Sequence, residues 1–306
     1  MNEETPLRVV CAGHVNWDVT LAVDRLPEPD GESAIARQHQ SGGGSASNVA
    51  VALAGLDADP LLLGSVGRDE HGWLARRELA AAGVETALVE ADGETAVKYL
   101  VVDEDGEVAV LGNEGANEAY SASDLSPAQF ERADHLHLTS QRPATAAELA
   151  REATAAGITV SFDPGRRLAD REYAETVERT DVLFCNQRES TLLRDEGPSE
   201  AVSTVVVKQG SGGAVARTEA GTVTHPGFAV DPVDTTGAGD AFAAGFLAAG
   251  APTIVGGDPG SPQAAVERAL AVGNACGALA ARTPGARVDV EWRDIEALLD
   301  IGPSGA

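Results

Sequence analysis

The chain has 306 residues, 43% of them hydrophobic, enough to bury a substantial core as one large domain or one with a small appendage. Acids outnumber bases 48 to 22, and a formal charge of −26 repels nucleic-acid phosphates and anionic lipid, so neither is expected as a partner. No basic segment leads into an apolar one at the start, no run of 18 apolar residues occurs, and Cys11, Cys185 and Cys276 form no CxxC pair; a signal peptide, a membrane span, a disulfide framework and a zinc cluster are unsupported, and a cytoplasmic protein is expected.

In chain order, apolar runs of strand length alternate with longer helical patterns: "LRVVCAG", "SASNVAVALAGL", "PLLLGSVG", "HGWLARRELAAAG", then "HLHLTS", "TAAELAREATAAG" and "ITVSFDP". That rhythm predicts βαβ units around a mostly parallel sheet. Residues 18–40 and 95–111 break it, alternating polar and apolar side chains around turn clusters, and are expected to pair into a small sheet outside the main one. The segment "GAPTIVGGDPGSPQ", residues 250–263, reads as a surface loop between two helices.

The junction "DTTGAGDAFAAGF", residues 234–246, passes from a glycine-rich loop into an apolar helix. Gly237 and Gly239 leave backbone N–H groups free to converge on one point, and a helix N-terminus favours an anion there, which predicts a phosphate cradle. A carboxylate beside phosphate is repelled unless it has chemistry to perform, so Asp240 is a candidate general base, taking the proton of a hydroxyl that attacks phosphorus. A helix cap beside a tight turn is the competing reading. Lys98 and Lys208, the only lysines, lie in no GxxxxGK[ST] loop, and no GxGxxG fingerprint follows a strand.

A second constellation lies in "GHVNWD" and "SGGGSASN". Asn16, Asp18 and Asn48 are suited to the vicinal hydroxyls of a sugar, because aspartate accepts and asparagine both donates and accepts. Each alone reads more readily as a turn or cap residue; their shared position at the carboxyl ends of the expected parallel strands raises the case for a ligand.

Together, "SGGGSASNVAVALAGLDADPLLLGSVGRDEHG" and "DTTGAGDAFAAGF" resemble the two signature regions of the ribokinase-like, or PfkB, carbohydrate kinases, and the likeness extends through "FCNQRE" to "GNACGALAARTPGA". The resemblance implies one α/β domain over residues 1–306, a three-layer α/β/α sandwich with a small β-sheet lid from about 18–40 and 95–111, that transfers the γ-phosphoryl group of ATP to a hydroxyl of a sugar or sugar derivative. It assigns Asp240 as base and Gly237, Ala238 and Gly239 as anion hole. Asn16, Asp18, Gly43, Gly44 and Asn48 fall on acceptor positions. Asn186 and Glu189 organise phosphates and Mg²⁺ through water, Lys208, Gly210, Gly213 and Asn274 flank the nucleotide, and Asp234 and Thr236 match a monovalent-cation loop, expected to take K⁺.

Thr139 stands where some ribokinases carry an acidic sugar ligand, so free ribose is not implied. Lys98, and Arg166 after the "DP" pair, are read as contacts to an anionic group on the acceptor, against the alternative that they serve the surface. A nucleoside kinase of the same fold and a non-catalytic binding relative are the competing functions. A homodimer is expected from the open lid edges. An acidic surface with only two lysines also resembles that of halophilic archaeal proteins, where molar salt screens self-repulsion.

Overall fold

The computed structural model describes residues 5–105, 107–196, 202–256, 262–287 and 290–302. Strand β1 (Arg8–Ala12) enters the core, and β2 (Asn16–Val23) and β3 (Ile35–Gly43) leave it as an antiparallel pair. Helix α1 (Ser45–Gly55), β4 (Asp59–Gly67), α2 (Glu70–Ala81) and β5 (Glu85–Ala91) follow, before a second excursion through β6 (Ala96–Val102) and β7 (Val108–Gly112). The chain then runs through α3 (Pro127–Glu131), β8 (His135–Thr139), α4 (Pro143–Ala156), β9 (Thr159–Asp163), α5 (Ala174–Val177), β10 (Val182–Asn186) and α6 (Gln187–Glu196). Strands β11 (Thr204–Lys208), β12 (Ala214–Thr218) and β13 (Gly221–His225) and helices α7 (Ala238–Gly256), α8 (Pro262–Ala281) and α9 (Trp292–Ile301) complete it.

Two sheets result. Nine strands lie in the order β13-β12-β11-β10-β9-β8-β1-β4-β5, parallel from β11 to β5 and antiparallel across β12 and β13. The reason for three layers is visible along β1, whose successive side chains point to opposite faces. Val9 and Cys11 join one core with Val49 and Leu53 of α1 and Phe242 and Phe246 of α7. Val10 and Ala12 join the other with Leu149 and Ala153 of α4.

The alternating stretches form the four-stranded sheet β3-β2-β6-β7. One expectation needs correction. Residues 250–256 are not loop but the last turns of α7, because Gly and Pro late in an already propagating helix break it far less than they would stop nucleation. Residues 257–261 lie outside the described segments.

Candidate active site

From β1 the chain builds β4 and β5 on one side of the sheet and β8 to β11 on the other. Such a reversal opens a crevice at the carboxyl ends of the strands. Around that edge the fold gathers Asn16 and Asp18 beyond β1, Asp163 ending β9, Asn186 ending β10, Lys208 ending β11, and the first turn of α7 with Asp240.

The turn into α7 has a glycine that nothing else can replace. Gly237 has φ 76° and a Cβ there would overlap the carbonyl oxygen of Ala286. Ala238 and Gly239 open the helix, and a Cβ on Gly239 would lie 3.3 Å from Nζ of Lys208, so the ammonium stands directly over the cradle. Lys208 is ion-paired with Asp163. Burial opposes its charge, but Asp163, Asp240 and Glu189 outweigh that cost and raise its affinity for the proton.

Asp240 accepts a hydrogen bond from Asn48 Nδ2 at 2.8 Å. Asp240 is half-buried, and the desolvation of its carboxyl by the surrounding protein, reinforced by Asp163 and relieved by Asn48, Lys208 and Lys98, pushes it up to about 6. A carboxylate with that affinity is ionised at neutral pH and still basic enough to take a proton from an attacking hydroxyl.

Residues at the same edge carry buried polar atoms without partners. Asn16 is fully buried, its Oδ1 accepting from Asn117 Nδ2 at 2.8 Å, while its Nδ2 has no partner. Asp18 Oδ1 and Asn48 Oδ1 are likewise buried and unpartnered. Buried polar atoms without partners are expensive, which makes this donor and these two acceptors candidates for contacts to a hydroxylated ligand. The glycine run allows it: a Cβ on Gly43 would overlap the Asp18 carboxylate, and one on Gly44, at φ 96° before α1, would overlap the His14 carbonyl.

A family model for pfkB carbohydrate kinases matches residues 6–293. The chain belongs to the PfkB family of carbohydrate kinases. It is therefore a sugar kinase, transferring phosphate from ATP to a sugar hydroxyl. An ATP-dependent ribose-1-phosphate kinase of Halopiger xanaduensis is 58% identical over 289 residues, covering 92% of this chain and 94% of its own. Among solved structures, the ribokinase of Thermotoga maritima matches with TM-score 0.82 and 25% identity over 97% of this chain and all of that one. The nucleoside kinase of Methanocaldococcus jannaschii matches with TM-score 0.80 and 26% identity over 96% and 98%.

The remaining expected residues of this PfkB kinase are spread around the same edge. Lys98 stands in register beside Asp18 on β6, exposed and in no ion pair among the described residues. Arg166 is exposed after β9 and makes no side-chain contact with the residues above, whereas its neighbour Arg167 pairs with Glu114. Asn186 and Glu189 bond each other reciprocally, backbone to side chain at 2.8 and 2.9 Å, which also caps α6. Gly210 (φ 59°) and Gly213 (φ 80°) shape the β11–β12 turn. Asn274 is buried in α8, donating to the Leu270 carbonyl at 2.8 Å and lying 3.2 Å from His225 Nδ1. Asp234 accepts from the N–H groups of Thr236 at 2.8 Å and Gly285 at 3.0 Å. Thr139 is buried against Gly13 and bonded to the Ala12 carbonyl, so it is a packing residue and does not stand in for a sugar ligand.

Sequence reasoning misses Asp163, the first residue of the "DP" pair that precedes Arg166. It also misses Asn117, which orients Asn16, and Glu118, held at φ 63° beside it. Burial opposes ionisation of Glu118, but His14 and Arg171, at 2.8 and 2.7 Å, hold its carboxyl down at about 2. Their segment, "NEGANEAY", carries no motif; only the folded chain brings it against the turn from β1 into β2, at His14, Val15 and Asn16.

Proposed function

We propose that this kinase phosphorylates a sugar that already bears a phosphate, ribose 1-phosphate, at its primary hydroxyl. One observation carries the reading: Lys98, an ammonium with no ion pair among the described residues in a chain of net charge −26, stands beside Asp18 and its field reaches both Asp18 and Asp240. A cation placed there serves an acceptor with a negative group better than a neutral sugar. The activity named for the Halopiger xanaduensis relative agrees with it. Arg166, exposed at the same edge, is a second candidate for the acceptor phosphate.

In this reading Asn16, Asp18 and Asn48 hold the sugar hydroxyls, and Gly43 and Gly44 let the ring approach the backbone. Asp240 takes the proton of the primary hydroxyl as its oxygen bonds to the γ-phosphorus of ATP. The bond from that phosphorus to the β,γ-bridging oxygen breaks, and ADP leaves with the electron pair. Gly237, Ala238 and Gly239 direct N–H groups at the transferred phosphoryl group, and Lys208 adds a point charge. Gly210, Gly213 and Asn274 border the nucleotide.

Among the described residues no group of three or more His, Cys, Asp or Glu side chains is arranged to hold a metal ion. Asn186 and the buried Glu189 would hold Mg²⁺ through water beside the nucleotide phosphates. When bound with ATP, Mg²⁺ neutralises charge on the phosphates. The loop at Asp234 and Thr236 is read as a K⁺ site on family resemblance. Ile35, Tyr99, Val108, Val110 and Leu111 expose apolar surface on the small sheet, which supports its use as a lid and as the contact of a homodimer. Cytoplasmic location and adaptation to high salt complete the reading, the latter from the charge.

A nucleoside acceptor is the second reading, favoured by the likeness to the archaeal nucleoside kinase. Trp17 argues against it. Its ring is buried on His71 with centroids 5.9 Å apart, and its Nε1 donates to Gln40 at 3.1 Å, so it offers no face to a nucleobase.

The test is a panel of ribose 1-phosphate, ribose, fructose and adenosine with ATP and Mg²⁺, run in KCl and in NaCl at equal ionic strength. Ribose 1-phosphate should give the highest kcat/KM, and KCl the higher rate. A neutral sugar or adenosine preferred over ribose 1-phosphate overturns the acceptor; equal rates in both salts overturn the K⁺ site.

A further inference from the structure

Arg287 belongs to none of the motifs read from the sequence, yet its side chain is only 9% exposed, in the segment between α8 and α9. Its Nη1 is 2.8 Å from Glu78 Oε2 on α2, and its Nη2 donates to Ser47 Oγ on α1 at 2.9 Å. The guanidinium lies so close to Gly42 that a Cβ there would overlap it. Gly42 N–H in turn donates to the same Glu78 oxygen at 2.8 Å, and Ser47 Oγ donates to the Gly43 carbonyl at 2.6 Å. Gly43 carries the Asp18 carboxylate against its α-carbon.

The same short segment reaches the phosphate side. Gly285 N–H donates to Asp234, and the Ala286 carbonyl packs against Gly237 of the cradle. Glycines 42 to 44 are where β3 passes from the small sheet into α1, and successive glycines leave that passage free to rotate unless something holds it. Burying a guanidinium is costly, and a fork spanning two helices across a glycine backbone fixes relative positions as a hydrophobic filler cannot.

We propose that Arg287 is a positioning residue for the acceptor: through Glu78 and Ser47 it pins the Gly42–Gly43 backbone, and so seats Asp18 at a fixed place relative to the anion cradle. This rests on Asp18 being a hydroxyl ligand. The experiment measures KM for ATP and for whichever of ribose 1-phosphate, ribose, fructose and adenosine the enzyme turns over fastest. Arg287→Met should raise the acceptor KM about 10-fold or more, the effect of losing a charged hydrogen bond, and leave the KM for ATP within about twofold. Arg287→Lys, with the charge but not the fork, should recover only part of the loss. Glu78→Gln, on the exposed side of the pair, tests the same link with less risk to folding and should shift the acceptor KM in the same direction. Equal rises in both KM values, full recovery by lysine, or an unchanged acceptor KM in Glu78→Gln each overturn the role. Asp18→Asn separates the two claims: if it leaves the acceptor KM unchanged, the reading of Asp18 fails; if it raises that KM while Arg287→Met and Glu78→Gln do not, only the positioning role fails.

Discussion

In its proposed role as base, Asp240 needs a negative charge and a site that does not welcome that charge. Desolvation by the surrounding protein supplies the second condition, raising the carboxyl to about 6, while Asn48 and Lys208 keep it from remaining protonated at neutral pH. Asp240→Asn should therefore leave nucleotide binding intact and lower kcat by roughly 10²–10⁴-fold, the usual range for removing a general base. Steady-state kinetics beside calorimetric titration with ATP checks this, and a variant keeping most of its kcat would reduce Asp240 to a cap. The same group sets a pH limb. The active form is the deprotonated one, so kcat should be flat above the value of about 6 and fall about tenfold per unit below it.

At the scale of elements, the entry into α7 and the passage from β3 to α1 are both glycine-built, for different reasons. At Gly43 and Gly44 the missing Cβ makes room for Asp18 and for the His14 carbonyl. At Gly237 both the left-handed backbone and the Ala286 carbonyl exclude a side chain. Gly237→Ala is expected to cost about 1–2 kcal/mol from backbone conformation alone, with more from the overlap. Because relief requires the cradle to move away from Ala286, kcat should fall along with the thermal midpoint, whereas alanine at Gly83, also at positive φ but with open space around it, should lower only the midpoint. A Gly237→Ala enzyme with normal kcat would show that the cradle tolerates displacement.

For the whole molecule, the sheet carries a buried polar row in its centre. His135 Nε2 and His137 Nδ1 both lie 2.7 Å from Ser161 Oγ, and neither ring reaches solvent. Burial, together with His137 acting on His135 and Lys208 on His137, lowers both imidazoles to about 3 from the ordinary 6.5. A depressed folded-state value means the unfolded chain takes up protons first, so stability is complete above the ordinary value and is lost as pH falls from there toward 3. Each histidine costs about 1.4 kcal/mol per unit in that window, partly offset by Asp240, whose raised value works in the opposite direction. Urea unfolding at about pH 7.5 and about pH 5 should show a loss of several kcal/mol. His137→Gln should remove more than half of that net dependence, and an unchanged slope would place the acid sensitivity elsewhere.

Local sequence determined the parts whose physics is local: the alternation of elements, the two exposed stretches and the glycine-rich turn into α7; short spacing and residue chemistry also sufficed to nominate Asp240, Asn16, Asp18 and Asn48 as candidates. The acidic charge was equally plain. Tertiary structure alone decided which distant groups share a site: Asn48 lies 192 positions from Asp240 and Arg287 240 positions from Ser47. It alone showed that Asp163 neutralises Lys208 and that the unmarked turn at Asn117 orients Asn16. Those contacts arise where parallel strands from separate βαβ units end on one edge, and no periodicity within a window of sequence records which ends will meet.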